Sequence, residues 1–210
     1  MRTLLGVQRP ARMNPGRHPK RPYIRTFNAP RVAGGQVWTC PESGYYSVYL
    51  WGQGGRGHWS GGGGTGQCGA LAVAEQIFIA AGQTVTFNIP ALGSNPASGT
   101  ATAVFSGGRI PLTCTPPDDA DIGSTKAFAT GGTINFDGIS GSGSPATGPG
   151  PDGGLSAAGA EGTIPGGPGY NGFRGGNATS GVFGGTPGAG SRSGSERYPG
   201  PGLGIVVREY

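Results

Sequence analysis

Side chains of the types that catalyse reactions or bind metals are few in this sequence, and they are scattered. The only two histidines are His18 and His58, too far apart in the chain to suggest a ligand pair. The sequence contains one cluster of acidic residues, formed by Asp118, Asp119 and Asp121. Its spacing does not match a calcium-binding EF-hand loop. Paired carboxylates, a Ser/His/Asp set and a phosphate-binding Gly-Lys-Ser/Thr loop are not recognisable either. We therefore expect a non-enzymatic protein with no catalytic residues, no metal and no cofactor.

The three cysteines, Cys40, Cys68 and Cys114, are an odd number without the C-x-x-C spacing or histidine partners of a zinc site. Two interpretations stay open. The cysteines are buried free thiols that pack as small hydrophobic residues, which we favour. Alternatively, a disulfide joins two of them or links two chains.

The composition limits the fold class. Glycine supplies 47 of the 210 residues and proline 19, while hydrophobic residues make up 34% and charged residues 12%. A typical soluble domain is about 45–50% apolar and about 25% charged. The chain is therefore short of both core residues and helix-forming residues, which argues against a helical bundle or an α/β enzyme. Collagen is excluded because no Gly-X-Y register is present.

Charge divides the chain into two parts. Residues 1–32 contain eight of the 15 basic residues and no acid, so the remainder carries seven basic residues against ten acids, a net charge of −3. Five prolines in the same region oppose helix and favour extended backbone. We predict an extended anchoring arm over residues 1–34 and a glycine-rich β domain over 35–210. The expected anchoring residues are basic: Arg9, Arg12, Arg17, Lys20, Arg21, Arg25 and Arg31.

Two alternatives for the arm are nucleic-acid binding through phosphate contacts and a solvated tail. Aromatic residues are too few among its basic residues to favour nucleic acid, so we expect a tether that lies on an acidic protein surface. No apolar run approaches the roughly 18 residues of a membrane span, and we expect no membrane insertion.

The sequence of residues 35–210 predicts β-strands that are separated by glycine-rich segments. Apolar and β-branched runs predict strands over 36–40, 45–51, 70–80, 84–89, 102–105, 109–113, 126–129, 133–136 and 204–210. In the long run 70–80 a single strand would place Glu75 on the apolar face, so we predict a β-bulge near Glu75 and Gln76. The result is an all-β fold.

Two glycine tracts interrupt these strands. Residues 52–69 contain 10 glycines, and residues 140–204 contain 23. A loose insert is one interpretation. We favour ordered polyglycine-II-like packing, because a structureless loop of this length is unusual in a compact domain. Large apolar residues also recur through the second tract: Leu155, Ile164, Tyr170, Phe173, Val182, Phe183 and Tyr198.

The order of these parts resembles the glycine-rich domain of tailed-bacteriophage virion proteins and, more distantly, receptor ectodomains of the anaplastic lymphoma kinase type. The resemblance covers roughly residues 36–210. It is carried by the Trp-Gly-x-Gly-Gly junction at 51–55, the Gly-Gln-Thr turn at 82–84 and the Gly-x-Gly-x-Val-Val strand at 202–207. It implies a small β-sandwich or jelly-roll-like core in which the first long strand and the C-terminal strand are neighbours. Glycine-rich excursions would then pack beside that core.

The function that this resemblance implies is structural. We expect an accessory surface protein of the phage capsid or tail, located in the virion and anchored to other virion proteins by its arm. Copies on the particle would associate with one another. Five side chains are candidate contacts for a partner, a host glycan or a host protein: Tyr45, His58, Trp59, Tyr170 and Phe173. The alternatives are an extracellular adhesion or matrix module, and a nucleic-acid-binding protein that uses the basic arm.

Overall fold

Ten β-strands make up the regular structure of the described part of this protein. A computed structural model describes residues 24–28, 35–55, 69–91, 99–117, 126–138 and 202–209, and these contain strands and turns but no helix. The predicted all-β fold is therefore confirmed. The strands are β1 (Ile24–Asn28), β2 (Gly35–Thr39), β3 (Gly44–Trp51), β4 (Leu71–Ile79), β5 (Thr84–Asn88), β6 (Ala101–Phe105), β7 (Leu112–Thr115), β8 (Phe128–Thr130), β9 (Ile134–Phe136) and β10 (Leu203–Arg208).

The strands form two antiparallel sheets of five. Sheet A has the order β1-β10-β3-β4-β9, and sheet B has the order β2-β5-β6-β7-β8. The C-terminal strand β10 pairs with the first long strand β3, with Val206 opposite Val48. This is the neighbour relation that the resemblance implied. Jelly-roll connectivity and polyglycine packing remain predictions.

Alternating side chains of the two sheets form the main core. On β3, Tyr46, Val48 and Leu50 point towards sheet B and are fully buried. Phe87 reaches across from β5 and stacks on Phe27 of β1, with ring centroids 4.6 Å apart. Trp38 of β2 meets the ring of Tyr46 edge-on at 5.1 Å. Aromatic pairs in these arrangements add about 0.5–1.5 kcal/mol each beyond the area they bury.

The predicted bulge is present in β4. Glu75 and Gln76 both lie opposite Ser47, and Gln76 has a φ of 47°. The Ser47 hydroxyl accepts a hydrogen bond from the Gln76 amide at 3.2 Å, and the Thr133 hydroxyl accepts one from the Glu75 amide at 2.9 Å. The extra residue reverses the alternation, so that the residues beyond the bulge point to the opposite face. Ile77 therefore enters the main core.

Some strands differ from the sequence prediction. β1 lies inside the predicted arm. This short strand was not predicted, because the high proline content of the arm argued against regular structure. The strand predicted over 109–113 begins later, at Leu112, because residues 106–111 form the turn and its exit from β6. The observed boundaries of β8 and β10 also differ from the predicted ones by one or two residues, as the ends of such elements commonly do.

The two ends of the sandwich differ. At one end, which we call the turn end, short connections join β2 to β3, β4 to β5, β6 to β7 and β8 to β9. At the other, the glycine end, Trp51 pairs with Leu71 and Leu203, and Leu71 pairs with Phe136. Five internal segments outside the described residues depart from this end: 29–34, 56–68, 92–98, 118–125 and 139–201.

Residues 1–23 join the fold at the opposite end from these segments. Ile24, the first residue of β1, pairs with Val207 near the turn end, whereas Asn28 pairs with Leu203 at the glycine end. In the part of the chain that the structure describes, no helix is suited to crossing a membrane.

Candidate interaction surfaces

The predicted anchoring arm is described at one basic residue. Arg25 lies on β1, exposed, and pairs through its backbone with Val206 of β10. The other predicted anchoring residues lie outside the described residues: Arg9, Arg12, Arg17, Lys20, Arg21 and Arg31. The edge strand therefore fixes where the arm leaves the folded body.

Of the candidate contact residues, Tyr45 is described, and it lies at the turn end on the outer surface of sheet A. It is 58% exposed and meets Phe78 of β4, itself 61% exposed, edge-on at 5.7 Å. Phe78 is not among the contact residues predicted from the sequence. The signal was available, because a bulge at Gln76 turns Phe78 outward opposite Tyr45. His58, Trp59, Tyr170 and Phe173 lie outside the described residues.

An open groove of about 460 Å³ lies beside this aromatic pair. Phe78 and Phe105 supply apolar walls, and Arg109 supplies a positive charge. The Gln83 side chain is held in place, because its Oε1 accepts a hydrogen bond from the Ala80 amide at 2.9 Å. Gly107 leaves room for it, since a Cβ there would lie 2.7 Å from Gln83 Nε2. Exposed aromatic rings beside a cation can contact a partner protein or a glycan.

Polar contacts stabilise the turn end behind this surface. Arg208 of β10 forms an ion pair with Glu42, and its guanidinium lies 5.9 Å from the centre of the Tyr46 ring. The Tyr46 hydroxyl donates a hydrogen bond to the Glu42 carbonyl oxygen at 2.6 Å. Burial, assisted by the neighbouring Cys40, raises the pKa of Tyr46 to about 12. These contacts attach the C-terminal strand to the β2–β3 turn.

The two described cysteines are buried and not bonded to each other. The Cys114 thiol donates to the carbonyl oxygen of Leu50 at 3.2 Å, and burial raises its pKa to about 12. The Cys40 thiol donates to the carbonyl oxygen of Glu42 at 3.1 Å. Because the raised pKa keeps the Cys114 thiol neutral, this thiol is a poor nucleophile and a poor metal ligand. For these two residues the favoured interpretation, buried free thiols, is confirmed. Cys68 lies outside the described residues.

The outward face of sheet B, which we call the threonine face, carries no charged residue at its described strand positions. Its members are Gly35, Val37, Thr39, Thr84, Thr86, Asn88, Thr102, Val104, Thr113, Thr115, Phe128 and Thr130. One row runs across four strands from Asn88 through Thr102 and Thr113 to Thr130. Val37 and Phe128 are exposed on it. Surfaces of soluble domains are commonly about a quarter charged, so an uncharged face is unusual.

The described residues contain no group of three or more His, Cys, Asp or Glu side chains placed to hold a metal ion. The acidic cluster at Asp118, Asp119 and Asp121 lies outside them. No family model matches this sequence, and no curated protein is significantly similar to it.

Proposed function

We propose that this protein is a non-enzymatic structural component of a tailed-bacteriophage virion, an accessory surface protein of the capsid or tail that its N-terminal arm anchors. The resemblance over residues 36–210 suggests the virion. The observation that best supports an anchored role is the polarity of the sandwich. Residues 1–23 join the fold at the turn end, and the glycine-rich segments depart from the glycine end. Docking through the arm would direct the glycine end away from the particle.

The charge and position of the arm suit docking on an acidic protein surface. Residues 1–23 contain six basic residues and no acid. Their attraction to carboxylates is long-ranged and is screened by salt. The strand β1 would transmit the attachment to the body, because it pairs with β10 and β10 pairs with β3. The exposed pair Tyr45 and Phe78 lies at the same end and would add apolar contacts.

Neighbouring copies would meet through the threonine face. Five strands about 4.8 Å apart, each about five residues long, cover roughly 24 by 16 Å, or about 400 Å². A stable dimer buries about 800 Å² on each partner. The face alone is therefore too small to hold two copies together in solution. On a particle the anchored arms would raise the local concentration, and weak contacts would then order the copies.

The direct test is re-attachment to particles that lack the protein, measured by co-sedimentation. We expect the full chain to sediment with the particles and to be released as salt increases. A chain lacking residues 1–23 should stay in the supernatant, and so should a full-length chain with the six basic arm residues changed to Gln. The matched control removes a charge from the body at the glycine end by Lys126→Gln, and it should bind normally.

Two results would contradict the proposal. One is undiminished binding of the truncated chain. The other is binding that nuclease treatment abolishes, which would instead favour the nucleic-acid alternative.

A further inference from the structure

Sheet A has a second apolar face, on the side turned away from sheet B. We call it the outer apolar face, and its buried members are Tyr49, Trp51, Leu71, Val73 and Ile205. Partly buried hydrophobic residues border it: Ile134, Phe136, Leu203 and Val207. They belong to this face by alternation, because the intervening residues of β3, β4 and β10 point into the main core.

Burial on this face is nearly complete. Leu71 and Val73 have no exposed surface, and none of the five buried members is more than 5% exposed. All nine residues of the cluster belong to sheet A itself. Neighbouring side chains within one sheet shield each other from the side but do not cover one another from above. Complete burial requires a second layer, which packs about 10 Å from the sheet.

We propose that residues 139–201 of this same chain form that layer, so that the outer apolar face is the docking surface of the long glycine tract. Both ends of the segment lie at the border of the face. It starts after β9, where Phe136 pairs with Leu71, and it returns at β10, where Leu203 pairs with Trp51. To connect these strands the chain must pass β4 and β3.

The length of the segment greatly exceeds what this connection needs. Three strand spacings of about 4.8 Å amount to about 14 Å, which about five extended residues span. Residues 139–201 number 63. The excess is enough chain to cross the face several times.

The sequence of residues 139–201 fits an apolar surface better than residues 56–68 or residues 1–23 do. It supplies eight large apolar side chains: Ile139, Leu155, Ile164, Tyr170, Phe173, Val182, Phe183 and Tyr198. Its many glycines let the backbone approach a layer of side chains closely. The segment 56–68 also leaves from the glycine end, but it is short and contains one large apolar residue, Trp59. Residues 1–23 are strongly basic and join at the turn end.

This assignment makes the long glycine tract part of the folded body and makes sheet A the middle of three layers. It also removes the outer apolar face from the surfaces available to partners, which leaves the turn end and the threonine face. The inference concerns contacts within one chain and does not rest on the virion proposal, so either can fail without the other.

A photo-crosslink placed on the face tests the assignment in the full-length protein. Tyr49→p-benzoylphenylalanine keeps an aromatic side chain at the centre of the face, and mass spectrometry of the irradiated protein identifies its neighbours. We expect crosslinks within one chain to peptides from residues 139–201. The matched control, Val104→p-benzoylphenylalanine on the threonine face, should give none to that segment.

Crosslinks from position 49 to residues 56–68, to the arm or to a second copy would overturn the proposal, and so would the absence of any crosslink. If the Tyr49 variant fails to fold, Val207→p-benzoylphenylalanine places the same probe on the half-buried border of the face. The same outcomes then apply.

Discussion

Gly204→Ala tests whether the two sheets pack as closely as the structure indicates. Gly204 lies in the middle of β10, between Phe27 of β1 and Leu50 of β3. The ring of Phe87 from sheet B occupies the space where a side chain would be. A Cβ at position 204 would lie 2.4 Å from Phe87 Cδ1 and 2.6 Å from Cε1. Glycine is required here because a side chain would not fit, and not because the backbone adopts an unusual conformation.

The size of the effect follows from this distance. Two carbon atoms prefer a separation of about 3.5–4.0 Å, so the Phe87 ring would have to retreat by about 1 Å or more. The ring is fully buried and stacked on Phe27, and it cannot move without disturbing that stack. Overpacking of this kind costs about 1–3 kcal/mol, while replacing a flexible glycine returns about 0.4–1 kcal/mol. We expect a net loss of about 1–2 kcal/mol, which lowers Tm by about 2–8 °C for a chain of this length.

Thermal and urea unfolding of the purified variant measure this loss. Gly44→Ala is the matched control, because a Cβ there would lie 3.5 Å from the nearest atom of Arg208, an ordinary contact. It should raise stability by about 0.4–1 kcal/mol, the gain from replacing a flexible glycine, with no loss from overpacking. Combining Gly204→Ala with Phe87→Leu should cost less than the sum of the two single changes. A Gly204→Ala protein as stable as the parent would show that the close approach of Phe87 is incorrect.

Three further predictions concern the bulge, the buried titrating groups and the edge strand. Gln76→Gly relieves the left-handed backbone at φ 47° and should raise the free energy of unfolding by about 0.5 kcal/mol, measured in urea. Burial raises the pKa of Cys114 from 9.0 and that of Tyr46 from 10.0, both to about 12, so the fold favours their neutral forms. Their contribution to stability should therefore be complete below about pH 9 and decline as the pH rises towards 12, which urea titrations at several pH values would detect. Deleting residues 1–23 should leave Tm unchanged, whereas deleting residues 1–28 removes β1 with its Phe27–Phe87 stack and should cost about 2 kcal/mol or more.

Local alternation in the sequence was enough to predict much of the fold. The run of aromatic and β-branched residues at 45–51 predicted β3. The parity of Glu75 predicted the bulge, because an unbroken strand would place this acidic residue on the apolar face. In the structure, the apolar residues before and after the bulge face opposite sides of the sheet. These features depend on neighbouring residues, and a periodicity argument detects them.

Features that depend on contacts between distant residues were harder to predict. β1 is a strand because β10, far away in the chain, offers it an edge. Predicting the outer apolar face would require knowing that Leu71 and Val73 lie beside Tyr49. Only the pairing of β3 with β4 shows this. The threonine face combines residues from five strands, none of which is distinctive alone. The polarity of the sandwich likewise emerges only from the register of the strands.

The most direct test of the anchored-arm account is trypsin cleavage of the arm, compared between purified particles and the isolated protein. Cleavage after Arg12 and Arg17, outside β1, reports the arm without requiring the body to unfold. We predict that the chain is present in the particles at a fixed copy number and that these sites are cut about tenfold or more slowly there. Absence of the chain from the particles, or equally fast cleavage in both samples, would contradict it.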